Sequence, residues 1–211
     1  MKFYESGDSS KPVIFLFPGT CCLYSSFDHI LDRLHSYFYT VTVSYDGFDP
    51  NEKTEFYSME DECEKIELEI KKKYDGRIKV AYGCSLGGSF VSLLIQRKRI
   101  HIEHGIIGSS DMDEAGNLVA KIQASMVVPF MYKMVHTGTL PKFMQKKLDK
   151  TDGGKKELYN GFFNMFGIGK GGSPWITKQS IYNQFYSDLV TKVQRGIDVP
   201  GTTIHVFYAT K

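Results

Sequence analysis

Ile78-Lys79-Val80-Ala81-Tyr82-Gly83-Cys84-Ser85-Leu86-Gly87-Gly88-Ser89-Phe90-Val91-Ser92-Leu93-Leu94 is the stretch on which the fold turns. Ile78 to Tyr82 is short, apolar and β-branched at its start, which predicts a strand. Phe90, Leu93 and Leu94 recur at helical spacing, which predicts a helix with one buried stripe. Only Gly83-Cys84-Ser85-Leu86-Gly87 separates the two, so the chain must turn sharply there. That is G-x-S-x-G in the context the pattern requires: strand, tight turn, helix. The glycines two positions before and after Ser85 leave room where side chains would strike the neighbouring strand and helix. A phosphate-cradling loop is the competing reading. Neither G-x-x-x-x-G-K-[ST] nor G-x-G-x-x-G is present here, so a serine nucleophile is the better one.

Upstream, Val13-Ile14-Phe15-Leu16-Phe17 is a continuous apolar run closed by Pro18-Gly19. It reads as a strand buried on both faces, as in a parallel sheet between helices. Phe27, Ile30, Leu31 and Leu34 mark an amphipathic helix, with Ser25 and Ser26 as candidate caps. Tyr39 to Tyr45 predicts a second strand ending at Asp46-Gly47. Met59, Cys63, Ile66 and Ile70 stripe a second helix, stopped by Asp75-Gly76. Downstream, Gly105 to Gly108 predicts a fourth, short strand, and Thr203 to Tyr208 a last one. Strands alternating with helices predict an α/β fold: a mostly parallel, doubly wound sheet flanked by helices. Residues 111–200 break that rhythm and are read as an inserted helical cap on a core of residues 1–110 and 201–211. In it, Met126, Phe130, Met131 and Met134, with Phe162, Phe163 and Phe166, either line an acyl pocket or pack the cap onto the sheet.

At 211 residues, 42% hydrophobic and 14% aromatic, the chain is sized for one packed domain. A net charge of +2 with no basic stripe argues against nucleic acid as a partner. Lys71-Lys72-Lys73 ends a helical pattern, where it complements the helix dipole. The N-terminal residues lack the apolar core of a signal peptide. The longest apolar segment, Ser125 to Val135, is interrupted by Pro129 and Lys133, so no membrane partner is expected. Cys21, Cys22, Cys63 and Cys84 have neither disulfide-framework density nor metal spacing. A soluble, cytoplasmic protein of a reducing compartment is expected, with no cofactor and no metal. Its oligomeric state is not legible.

With the elbow at Ser85 and Phe17-Pro18-Gly19-Thr20-Cys21-Cys22 after the first buried strand, the chain resembles the α/β-hydrolase superfamily. The second segment stands where that family usually carries His-Gly followed by an oxyanion donor. The resemblance implies that the Leu86 N–H is one donor and the Thr20 N–H the other, with Cys21 as the neighbouring candidate. Pro18 replaces the common histidine, but the donor is a backbone group. The same resemblance orders the catalytic residues as serine, then Asp or Glu, then histidine. Asp111, in Ser109-Ser110-Asp111, is the candidate acid. Beginning a cap helix is the alternative role for Asp111 and its neighbours Asp113 and Glu114.

The histidine belongs on a loop after the last strand, and none follows His205. His29 and His35 precede the nucleophile, and His101 and His104 are expected at the opposite end of the sheet. His205 falls within a strand, which leaves His136 as the only candidate present. The resemblance therefore implies a final helix, strand and histidine loop beyond Lys211. The function expected is hydrolysis of an ester or thioester of a small, partly apolar acyl substrate through an acyl-enzyme on Ser85. An acyltransferase on the same fold, or a non-catalytic binding or regulatory protein, are the alternatives.

Overall fold

The computed structural model describes residues 1–110, 114–166 and 171–207, with the side chains of Leu158 and Phe162 excepted. Six strands form one sheet: β1 (Lys2–Ser6), β2 (Val13–Phe17), β3 (Tyr39–Ser44), β4 (Arg77–Cys84), β5 (His101–Gly108) and β6 (Thr203–Phe207). Their order is β1-β3-β2-β4-β5-β6. Only β1 runs antiparallel, on β3; β3, β2, β4, β5 and β6 pair parallel. This is the mostly parallel sheet read from the sequence, with two amendments. The edge strand β1 was not anticipated, because Lys2-Phe3-Tyr4-Glu5-Ser6 lacks the apolar run of a doubly covered strand and is only half-buried. The fourth predicted strand is twice the expected length, beginning at His101.

Each parallel step is bridged by a helix. These are α1 (Asp28–His35), α2 (Met59–Tyr74) and α3 (Leu86–Arg97), followed by four helices between β5 and β6: α4 (Asn117–Thr137), α5 (Lys142–Asp149), α6 (Gly153–Asn164) and α7 (Lys178–Val190). Alternation along the strands divides the core. Phe15 and Phe17 face α2 and α3, packing with Met59, Cys63, Ile66, Ile70, Phe90 and Leu94. Ile14 and Leu16 face the other way, onto Phe27 and the half-buried Ile30, Leu31 and Leu34 of α1. Two adjacent residues pointing to opposite faces is what a pleated strand requires of an unbroken apolar run.

The α2 stripe is buried completely, and the Ser58 hydroxyl caps its N-terminus by accepting from the Asp61 N–H at 3.1 Å. The caps expected for α1 differ: Tyr24–Phe27 is a 3₁₀ turn, and Phe27 precedes α1 without a side-chain cap.

The chain winds from β2 to β3 in one direction across the sheet, then from β4 through β5 to β6 in the other. The reversal falls between β2 and β4, which pair with Phe17 opposite Gly83. The loops leaving the carboxyl ends of these two strands therefore lie side by side, the place where open α/β sheets bind ligands.

Candidate active site

Ser85 follows β4 directly and caps α3, at φ 55° and ψ −128°. Few L-residues adopt that backbone, and holding one there costs about 1–3 kcal/mol. The surroundings enforce it. The Ser85 N–H donates to the Gly108 carbonyl of β5 at 2.9 Å, and its carbonyl accepts from the N–H groups of Gly88 at 2.8 Å and Ser89 at 3.2 Å. A Cβ on Gly83 would collide with the Gly87 carbonyl group, and one on Gly87 with the Phe17 carbonyl oxygen. Backbone on both sides gives neither room to yield, so glycine is required at each position. Gly88 is tight as well: its Cβ would stand 2.8 Å from that of Ser110. The serine side chain is left exposed at the head of α3, while Leu86 behind it is fully buried.

The loop after β2 lies against this turn. A Cβ on Gly19 would stand 3.7 Å from the Ser85 Cβ and 3.3 Å from the Cys84 carbonyl oxygen. The loop is held from two sides. The Tyr45 hydroxyl, buried and stacked on Phe90 at 4.7 Å, donates to the Pro18 carbonyl at 3.1 Å. From α7, the Gln184 Oε1 accepts from the Cys21 N–H at 2.7 Å, with Cys21 at φ 60°. Of the two donors weighed in this loop, the Cys21 N–H is thus already engaged. The Thr20 N–H has no acceptor among the described residues.

No family model and no curated protein matches the sequence, but solved structures match the fold. Staphylococcus aureus MenH superposes with a TM-score of 0.67 at 12% identity, over 98% of this chain and 88% of its own. A protein assigned to the α/β hydrolase family from Desulfitobacterium hafniense gives 0.66 at 16% identity, over 90% of this chain and 72% of that one. The enol-lactonase of Burkholderia xenovorans gives 0.62 at 14% identity, over 97% and 74%. This chain has the α/β-hydrolase fold.

The turn between β4 and α3, read from the sequence as a nucleophile elbow, is a sharp strand-to-helix bend that carries Ser85. The remaining expectations fare differently. Asp111 and Asp113 lie outside the described residues. Glu114 is exposed and 3.4 Å from Lys192. None of the six histidines makes a described hydrogen bond to Ser85. His35 Nε2 bonds Ser6 and Thr40, at 2.9 and 3.1 Å. His101 opens β5, whose other end pairs with Cys84, so it sits roughly 23 Å from the elbow at strand rise. His104 Nδ1 and His205 Nε2 are 3.3 Å apart on neighbouring strands. His136 lies in the last turn of α4 with its ring 5.0 Å from that of Tyr132, and its buried Nδ1 has no hydrogen-bond partner among the described residues.

Thiol chemistry is disfavoured by electrostatics. Burial pushes the Cys22 thiol up to about 12 and those of Cys21 and Cys84 above their ordinary value, which disfavours the thiolate form of each. The expected apolar lining is partly corrected. Met134, Phe163 and Phe166 are buried, but Met126 is 74% exposed and Phe130 is exposed too, so these two do not pack onto the sheet. Phe162 lies among the side chains not described. An apolar cavity of about 120 Å³ does lie between α5 and α6, lined by Met144, Lys147, Leu148, Thr151, Tyr159 and Phe163.

The roles of Gln184 and Tyr45 were not seen in the sequence. Gln184 is 163 residues from its partner, and no local pattern announces such a contact.

Proposed function

We propose that the protein is a serine hydrolase cleaving esters or thioesters of a small, partly apolar acyl group. The observation that carries this reading is the strained backbone of Ser85, enforced by Gly83 and Gly87, with the Thr20 N–H of the adjoining loop unpaired among the described residues. The Ser85 oxygen attacks the acyl carbonyl carbon and its proton passes to a base. The oxyanion receives the Leu86 and Thr20 N–H groups, and its collapse expels the alcohol or thiol, which takes the proton back. Water then hydrolyses the acyl-serine. Engagement of the Cys21 N–H by Gln184 favours Thr20 as the second donor.

Residues 1–110 and 201–211 form the core in this reading, and residues 111–200 a cap. Asp111 is the acid that orients the base. The base is a histidine, as the resemblance implies. The substrate is a small molecule, no cofactor takes part, and the cytoplasm is the compartment proposed.

Short-chain p-nitrophenyl esters and acyl thioesters test the reading. The full-length natural protein should release a stoichiometric burst of leaving group, which Ser85→Ala abolishes. Added alcohol or amine acceptors separate hydrolysis from acyl transfer by the products formed. A second reading, a non-catalytic binding protein, is favoured by the exposed Ser85 with no histidine bonded to it among the described residues. It predicts no burst from either protein.

A further inference from the structure

Helix α4 is apolar on both of its faces. Ala120, Ala124, Val128, Met134 and Val135 are buried, and the helix packs against α7. The opposite face meets solvent: Leu118 is 72% exposed, and Ile122, Met126 and Phe130, spaced four residues apart, continue the stripe, with Val119 and Val127 beside it. Twelve residues of helix make that stripe about 18 Å long. It extends onto α5 through Phe143, 67% exposed, whose ring centroid lies 6.4 Å from that of Phe130. By length and composition alone α4 could cross a bilayer, at mean hydropathy 1.2. This differs from the sequence expectation, because Pro129 interrupts the apolar run without ending the helix. Its inner face, however, is occupied by the protein, so the helix lies on the molecule with one side bare.

The charge along the bare side is mostly positive, with Asp149 at the end of α5 as its one carboxylate among the described residues of the two helices. From Ala115 to Leu148 the chain holds no carboxylate and five lysines: Lys121, Lys133, Lys142, Lys146 and Lys147. All five are exposed. Lys133 follows Phe130 by three residues, and Lys146 and Lys147 share the α5 face of Phe143 by i, i+3 and i, i+4 spacing. The excess is local, since the whole chain is only +2. An apolar stripe with a phenylalanine end and a lysine border, lying flat on a folded body, has the make-up of an element that rests in a lipid headgroup region.

We propose that the α4–α5 face seats the protein on an anionic lipid surface, with Leu118, Ile122, Met126, Phe130 and Phe143 immersed and the lysines on the headgroups. This seat does not depend on whether Ser85 is a nucleophile.

Flotation of the full-length protein with vesicles of phosphatidylcholine, or of phosphatidylcholine with phosphatidylserine, tests it. The protein should float with the anionic vesicles and much less with the neutral ones, and added salt should weaken the binding. The double substitution Ile122→Asp and Met126→Asp, at exposed positions, should abolish flotation while leaving the circular dichroism and melting temperature in place. Lys146→Glu with Lys147→Glu should lower anionic binding by roughly tenfold or more. Ser85→Ala should float as the unaltered protein does, which separates this result from any failure of the hydrolase reading. No flotation, flotation equal on both vesicle types, or full flotation of the double aspartate variant would each overturn the proposal. A dimer that the aspartates dissolve, with no vesicle binding, would overturn it in favour of a second copy covering this face.

Discussion

Ser85 is where local preference and function diverge. Its backbone at φ 55° suits glycine better than serine, and the hydrogen bonds from its neighbours hold it there. Ser85→Gly should therefore stabilise the fold by about 1 kcal/mol, the strain relieved less the added freedom of the unfolded chain. It should remove acylation entirely. Urea denaturation checks the sign, and a lower midpoint would mean that the turn is not strained. At this scale the sequence was informative where backbone sterics dictate the residue type. Gly83 and Gly87 had to be glycine, and their spacing said so. It was silent on Gln184 and Tyr45, whose roles depend only on what folding brings beside Cys21 and Pro18.

Helices α2 and α7 show how neighbouring elements hold the site loop. Gln184 projects from α7 into the interior to receive the Cys21 N–H at 2.7 Å, and Ser187 of the same helix accepts from the Met59 N–H that begins α2 at 2.7 Å. Gln184→Ala leaves a buried donor without a partner and should cost about 1–3 kcal/mol. With the loop released, ester turnover should fall as well. Unchanged stability and turnover would show that Gln184 holds nothing.

On α2, burial pushes the Glu62 carboxyl up to about 7, against the hydrogen bond from Lys65. The folded state holds that proton more tightly than the unfolded one. Its contribution is therefore complete below the ordinary glutamate value and lost as pH rises through about 7. Thermal unfolding followed from mildly acidic to mildly alkaline pH should show that decline, and Glu62→Gln should flatten it; an equal slope in both proteins would refute the assignment. Periodicity read α2 correctly because its apolar stripe is buried and most of its other residues are charged. It misjudged α4 because both faces are apolar, and spacing cannot say which of two apolar faces turns inward.

Over the whole molecule, the architecture follows from the sheet. A chain that winds one way from β2 and the other way from β4 must leave a crevice between the carboxyl ends of those strands. Both segments that carried the resemblance, Pro18 to Cys22 and Gly83 to Gly87, meet there. The parallel order was legible from buried apolar runs alternating with helices. β1 was not, being a half-exposed edge whose pairing with β3 has no local signature. The central claim, that this crevice presents an activated serine, is tested most directly by treating the full-length protein with a fluorophosphonate and locating the adduct by peptide mass spectrometry. The account predicts one adduct, on the hydroxyl of Ser85, absent from Ser85→Ala. No adduct, or one that persists undiminished in the alanine variant, would contradict it.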